Sequence, residues 1–95
     1  MTHPRIPGRW SRLRLQWLRT RRPLLYERML LEGTLRAHLL ETERTARRQT
    51  QRTLRALAKS APLPDRTADP LGWAQAMTAL RLQAEERTAV THIRI

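Results

Sequence analysis

Residues 8–40, GRWSRLRLQWLRTRRPLLYERMLLEGTLRAHLL, decide the fold. Trp10, Leu13 and Trp17 recur at i, i+3 and i+7, the spacing of one helical face, while Arg9, Arg12, Gln16 and Arg19 fall on the other. Leu15 and Leu18 lie between, so the apolar stripe is broad. This predicts an amphipathic helix over 9–20, with its tryptophans inward and a basic back. Pro23 suits the first turn of a second helix, where its missing N–H costs nothing. That helix runs to 32, and Gly33 is a left-handed C′ residue that ends it. Thr34 is then expected to N-cap a third helix.

The third helix spans 35–60, about 40 Å at 1.5 Å per residue. Its inward stripe reads Leu35, Leu39, Thr42, Ala46, Gln49 or Thr50, Thr53 and Leu57. The ends are apolar and the middle is small and polar, so the middle either packs close or stays wet. Prolines and turn residues mark 61–69 as a loop. Asp69 followed by Pro70 reads as an N-cap and a first-turn proline. A fourth helix over 70–88 presents Trp73, Met77, Leu80 and Ala84 on one face, with Arg81 and Glu85 paired at i, i+4 outside. Residues 1–8, with Pro4 and Pro7, are expected to be an extended arm. The closing TAVTHIRI reads either as a frayed last turn or as a short extended arm. The fold class is all-α: a single domain over 1–95, a small bundle of three to four helices around one long central helix.

Charge is the other strong signal. The chain carries 19 Lys and Arg against 8 Asp and Glu, a formal net charge of +11. The first 23 residues hold seven arginines and no acid, and residues 44–64 are again acid-free. In that second segment Arg44, Arg48, Arg52, Arg55 and Lys59 step by three or four along the third helix, with Arg47 alongside. Concentrated cations of this kind are the footprint of a phosphate backbone; the competing reading is a solvated helix face. Trp10, Trp17 and Trp73 sit at core spacing, which favours packing over base stacking. A helix-turn-helix around Gly33 fits poorly, because the helix that follows is far longer than a recognition helix.

No reaction is signalled. His3, His38 and His92 are dispersed, and His38 with Glu41 forms an H-x-x-E pair lacking a further ligand. Glu85 and Glu86 are sequence neighbours that point apart on a helix. Tyr26 lacks the surrounding basic partners that a nucleophilic tyrosine needs. With three glycines there is no Gly-rich phosphate loop. The expectation is a non-enzymatic protein without metal or cofactor. Cysteine is absent, no apolar run approaches the roughly 20 residues of a membrane span, and arginines interrupt every hydrophobic stretch near the N-terminus. A cytoplasmic location without membrane contact is therefore expected.

The same stretch resembles the TnpV family, small proteins encoded by bacterial transposons and related mobile elements. The resemblance rests on Gly8, Arg9, Trp10, Arg22, Pro23, Leu25, Tyr26, Leu30, Leu31, Gly33, Leu35, His38 and Leu39. A second block fits at Trp73, Met77, Leu80, Arg81, Ala84, Glu85 and Glu86. It implies an accessory factor of a mobile element, similar to small DNA-binding excision factors. Two positions depart: Arg21, where members commonly carry His, and Thr78, where they carry Asn. Members are also acidic along the middle of the third helix, so the Arg44–Lys59 stripe is not implied by the resemblance.

The expected partner is nucleic acid, DNA in preference to RNA. Arg9, Arg12, Arg14, Arg19, Arg21 and Arg22 would contact phosphates, with Arg44, Arg48, Arg52 and Arg55 as a second set. Six such contacts imply a loss of about 10³-fold in affinity between 50 and 200 mM salt. Tyr26, His38 and Arg22 are expected in the joint between the second and third helices. The alternative is a protein-binding regulator or inhibitor of a nuclease, recombinase or host defence complex. A homodimer would cover the wet middle of the third helix.

Overall fold

The computed structural model describes residues 8–95; the arm expected over the first residues, with Pro4 and Pro7, lies outside them. Four α-helices follow in order: α1 (Arg9–Arg21), α2 (Pro23–Glu32), α3 (Leu35–Ser60) and α4 (Pro70–Thr88), closed by a π-helical turn at Ala89–Ile93. The architecture is all-α, with α3 as the long central helix. α1 lies antiparallel on the first half of α3: Trp10 packs with Ala46, and Leu18 with Leu35 and Leu39. α4 lies antiparallel along the second half, where the hydroxyls of Thr50 and Thr88 meet at 2.7 Å. The small, polar middle of α3 therefore packs close. The face on which a second copy was expected is occupied by α4.

The helix boundaries follow from local chemistry. Gly33 adopts φ 73°, and the N–H groups of Gly33 and Thr34 donate to Leu30 and Met29 oxygens at 3.3 and 2.9 Å. That pair of bonds closes α2 as a Schellman motif. It also corrects the role of Thr34, whose hydroxyl turns back to the Met29 oxygen and does not cap α3. Asp69 does cap its helix, accepting from the Gly72 N–H at 3.0 Å, with Pro70 next in the first turn.

The buried face of α1 is rotated from the one that periodicity suggests. Trp10, Ser11, Arg14 and Leu18 are buried, Trp17 is half-buried, and Leu13 is 37% exposed. Ser11 explains the rotation. It is fully buried, its hydroxyl donating to the Leu39 oxygen at 2.9 Å and its N–H to Glu43 Oε1 at 2.9 Å. A small residue here lets the two backbones approach. The Glu43 carboxylate supplies an acceptor to the first turn of α1, where unpaired N–H groups and the helix dipole favour negative charge. Arg47 Nε holds the other Glu43 oxygen at 2.9 Å.

Gly8 completes this contact. Its φ is 103°, and a Cβ there would fall on the Glu43 carboxylate. The position thus excludes larger residues twice over, by backbone strain and by space. Gly8→Ala is expected to lower stability by about 1–3 kcal/mol, the usual range for a strained backbone position. Thermal unfolding followed by circular dichroism checks this; an unchanged midpoint would contradict it.

Candidate nucleic-acid interface

The structure sorts the predicted arginines into buried, ion-paired and open. Arg14 is the principal correction. It is 6% exposed, on the core side of α1, and does not face a partner. Its Nη1 donates to the Ile93 and Ile95 oxygens at 2.8 and 3.1 Å, and its Nε to His38 Nε2 at 3.2 Å. Its guanidinium also lies 5.3 Å from the Trp17 ring centroid. A buried cation must be paired or solvated by dipoles, and here it meets the carbonyl-rich C-terminal end of α4 and its π turn. The closing residues are therefore neither frayed nor an extended arm: Ala89 and Ile93 are buried with Trp10 and Ala46, and Arg14 ties down the carbonyls.

Burial, and then the nearby Arg22, pull the Arg14 guanidinium below its ordinary range. His38 is likewise lowered, by burial first and then by Arg14, so its neutral form is favoured. Neutral His38 can accept from Arg14 on Nε2, which leaves its proton on Nδ1. His38, Glu41 and His92 line one small concavity together with Arg14. Among the described residues no group of three could hold a metal ion. Glu41 turns away to Arg44, at 3.1 Å.

Arg9 is exposed yet paired, its Nη1 lying 2.9 Å from Glu85 Oε2 and its guanidinium over Trp10. This replaces the Arg81–Glu85 pair expected within α4, because Glu85 sits half-buried beside the start of α1 and Arg81 points to solvent. Arg44 pairs with Glu41 and Arg47 with Glu43. What remains open falls into two sets. Arg12 and Arg19 lie on the outward face of α1, with Arg21 and Arg22 at the α1–α2 joint; all four are exposed. Arg48, Arg52, Arg55 and Lys59 are exposed along the second half of α3. Among the described residues none of these eight has an ion-pair partner. Because α1 lies against residues 39–46 of α3, the two sets follow one another along the spine.

At the joint the chain turns sharply, with Arg22 N–H donating to the Leu18 oxygen and Tyr26 N–H to the Arg22 oxygen, both at 2.9 Å. Tyr26 is half-buried against the Leu18–Leu39 cluster, and Arg19 reaches over its ring at 5.9 Å. Arg22 stays exposed, so of the three polar residues expected in the joint between α2 and α3, His38 instead bonds across to α1. In α4, Trp73 and Met77 are half-buried, with Arg66 over the Trp73 ring at 4.7 Å, and Leu80 and Ala84 are buried. Sequence reading missed Ser11 and Glu43. The signal for Glu43 was its place four residues after Leu39 on the inward stripe, masked by the assumption that a carboxylate faces water.

Together the fold and the charge distribution define a small, all-helical, strongly basic protein whose open cations include two sets, one on α1 and its joint with α2 and one along α3. A family model described as transposon-encoded protein TnpV matches residues 2–92, and the chain belongs to that family. No curated protein and no solved structure is significantly similar to it. Among the described residues no helix is long and apolar enough to cross a membrane.

Arg14→Gln leaves the Ile93 and Ile95 oxygens without this donor. It is expected to lower stability by about 1–3 kcal/mol, roughly 4–8 °C per kcal/mol for a domain of this size, measured by thermal melts. His38 sets a pH dependence. Its folded proton affinity is below that of the unfolded chain, about pKa 6.5. Its contribution is therefore complete above that value and is lost as pH falls through the folded one. The melting temperature should drop as pH falls below about 6.5, and less so in His38→Gln. Parallel slopes for the two proteins would show that His38 is not responsible.

Proposed function

We propose that this member of the TnpV family is a non-enzymatic accessory protein of a mobile element that binds DNA through backbone phosphates. One observation carries the reading: Arg12, Arg19, Arg21 and Arg22 are exposed on one face and joint, and no carboxylate answers them among the described residues. Phosphate contacts of this type give affinity and position more than sequence reading. Arg14 is removed from the contact set, and Arg9 is partly neutralised by Glu85. Four contacts, at a slope of about −0.9 per phosphate, lower affinity by about 10²-fold between 50 and 200 mM salt. If the α3 set engages as well, eight contacts steepen this to about 10⁴-fold.

A salt titration of duplex binding by fluorescence anisotropy measures the slope directly. A slope near −4 supports the α1 face alone and one near −7 both faces; a flat titration overturns the proposal.

A second reading, a protein-binding regulator of a nuclease, recombinase or host defence complex, is supported by a different feature. Leu31 is 89% exposed on α2, with Leu30 beside it at 52%. Exposed leucines on one short helix suit an apolar contact with another protein. Stoichiometric capture of one protein after nuclease digestion, abolished by Leu31→Lys, would favour this reading over the first.

A further inference from the structure

The corner between α1 and α2 is more than a turn. An open concavity of about 390 Å³ lies there, lined by Arg21, Arg22 and Arg28 together with Pro23, Leu24 and Leu25. No carboxylate lines it, and among the described residues none of the three arginines forms an ion pair. Arg28 brings a cation from the second turn of α2 into a group otherwise drawn from the end of α1. The positive charge there is concentrated by shape as well as by sequence. Leu24 is 80% exposed there, an apolar surface that nothing among the described residues covers.

We propose that this corner is a binding pocket for one phosphodiester group. The guanidinium groups of Arg21, Arg22 and Arg28 would converge on its anionic oxygens, with the adjoining sugar against Pro23 and Leu24. Guanidinium is the group suited to this work, because its planar fork gives two parallel donors to a phosphate. The mixed wall matters as well. An inorganic anion uses only the cations, whereas a nucleotide unit also uses the apolar lining residues. Such a pocket anchors the duplex at one defined phosphate, from which the outward face of α1 and the α3 stripe take their position. The pocket rests on the DNA reading above and deepens it by adding Arg28, whose place in the sequence, between Glu27 and Met29 on an apolar helix, gives no hint of it.

The experiment uses the full chain and compares Arg28→Gln, Arg28→Lys and Arg81→Gln, the last an exposed arginine on α4 well away from the corner. Duplex affinity is measured across a salt series, with circular dichroism to confirm the fold of each variant. Arg28→Gln is expected to weaken binding about five- to tenfold at moderate salt and to reduce the slope by about one phosphate. Arg28→Lys should be intermediate and Arg81→Gln unchanged. In parallel, the Leu24 and Leu25 amide resonances of the wild type are followed during titration with inorganic phosphate and with duplex DNA. Both ligands should shift them, the duplex at far lower concentration. If the duplex binds but Arg28→Gln behaves like Arg81→Gln, the pocket is overturned and the DNA reading stands. If the duplex does not bind while inorganic phosphate still shifts these amides and Arg28→Gln abolishes the shift, the DNA reading fails and an anion site remains. If neither ligand shifts them, the pocket is overturned.

Discussion

The contact on which the rest of the structure depends is the docking of Ser11 and Glu43 between α1 and α3. Ser11 spends both its hydroxyl and its N–H on α3, and Glu43 answers an N–H group that the first turn of a helix cannot satisfy by itself. This fixes the rotation of α1 about its own axis. Once that rotation is set, Arg14 must point inward and Arg12 and Arg19 outward. The division between structural and available arginines is therefore a consequence of two buried polar contacts.

The two buried charges follow the same electrostatic logic at opposite helix ends. Glu43 places negative charge at the start of α1, and Arg14 places positive charge at the end of α4 and its π turn. Each is the sign that the exposed peptide dipoles favour. Each also has hydrogen-bond partners, and among the described residues no buried side-chain polar atom lacks one. A chain of this size cannot rely on a large apolar core. Polar contacts at helix ends give it specificity of packing that the ten buried hydrophobic residues among those described would by themselves leave loose.

The removal of Arg14 from the surface sharpens the functional picture. The N-terminal arginine run is not a uniform patch. Arg9 is tied to Glu85 and Arg14 to the closing carbonyls, which leaves Arg12, Arg19 and the corner residues Arg21 and Arg22 open. On α3 the first cations of the stripe are likewise engaged by Glu41 and Glu43, and only those from Arg48 onward are open. The elongated form, 55 Å in its longest dimension, separates the two sets along the molecule.

The sequence by itself determined the all-α class, the boundaries at Gly33, Asp69 and Pro70, and the long central helix, because these follow from backbone preferences that act within a few residues. It also determined the concentration of arginine, which is a matter of composition. Only the tertiary structure decided which face of α1 is buried. Periodicity marks a broad apolar arc through Trp10, Leu13 and Trp17, whereas the buried face is Trp10, Ser11, Arg14 and Leu18, with a serine and an arginine that no apolar pattern selects. The choice between them is made by groups distant in the chain: Leu39 and Glu43 for Ser11, and His38, Ile93 and Ile95 for Arg14. No local pattern encodes a hydrogen bond across 79 residues, so the same arginine that reads as a surface cation in the sequence proves to be the tie between the first helix and the last turn.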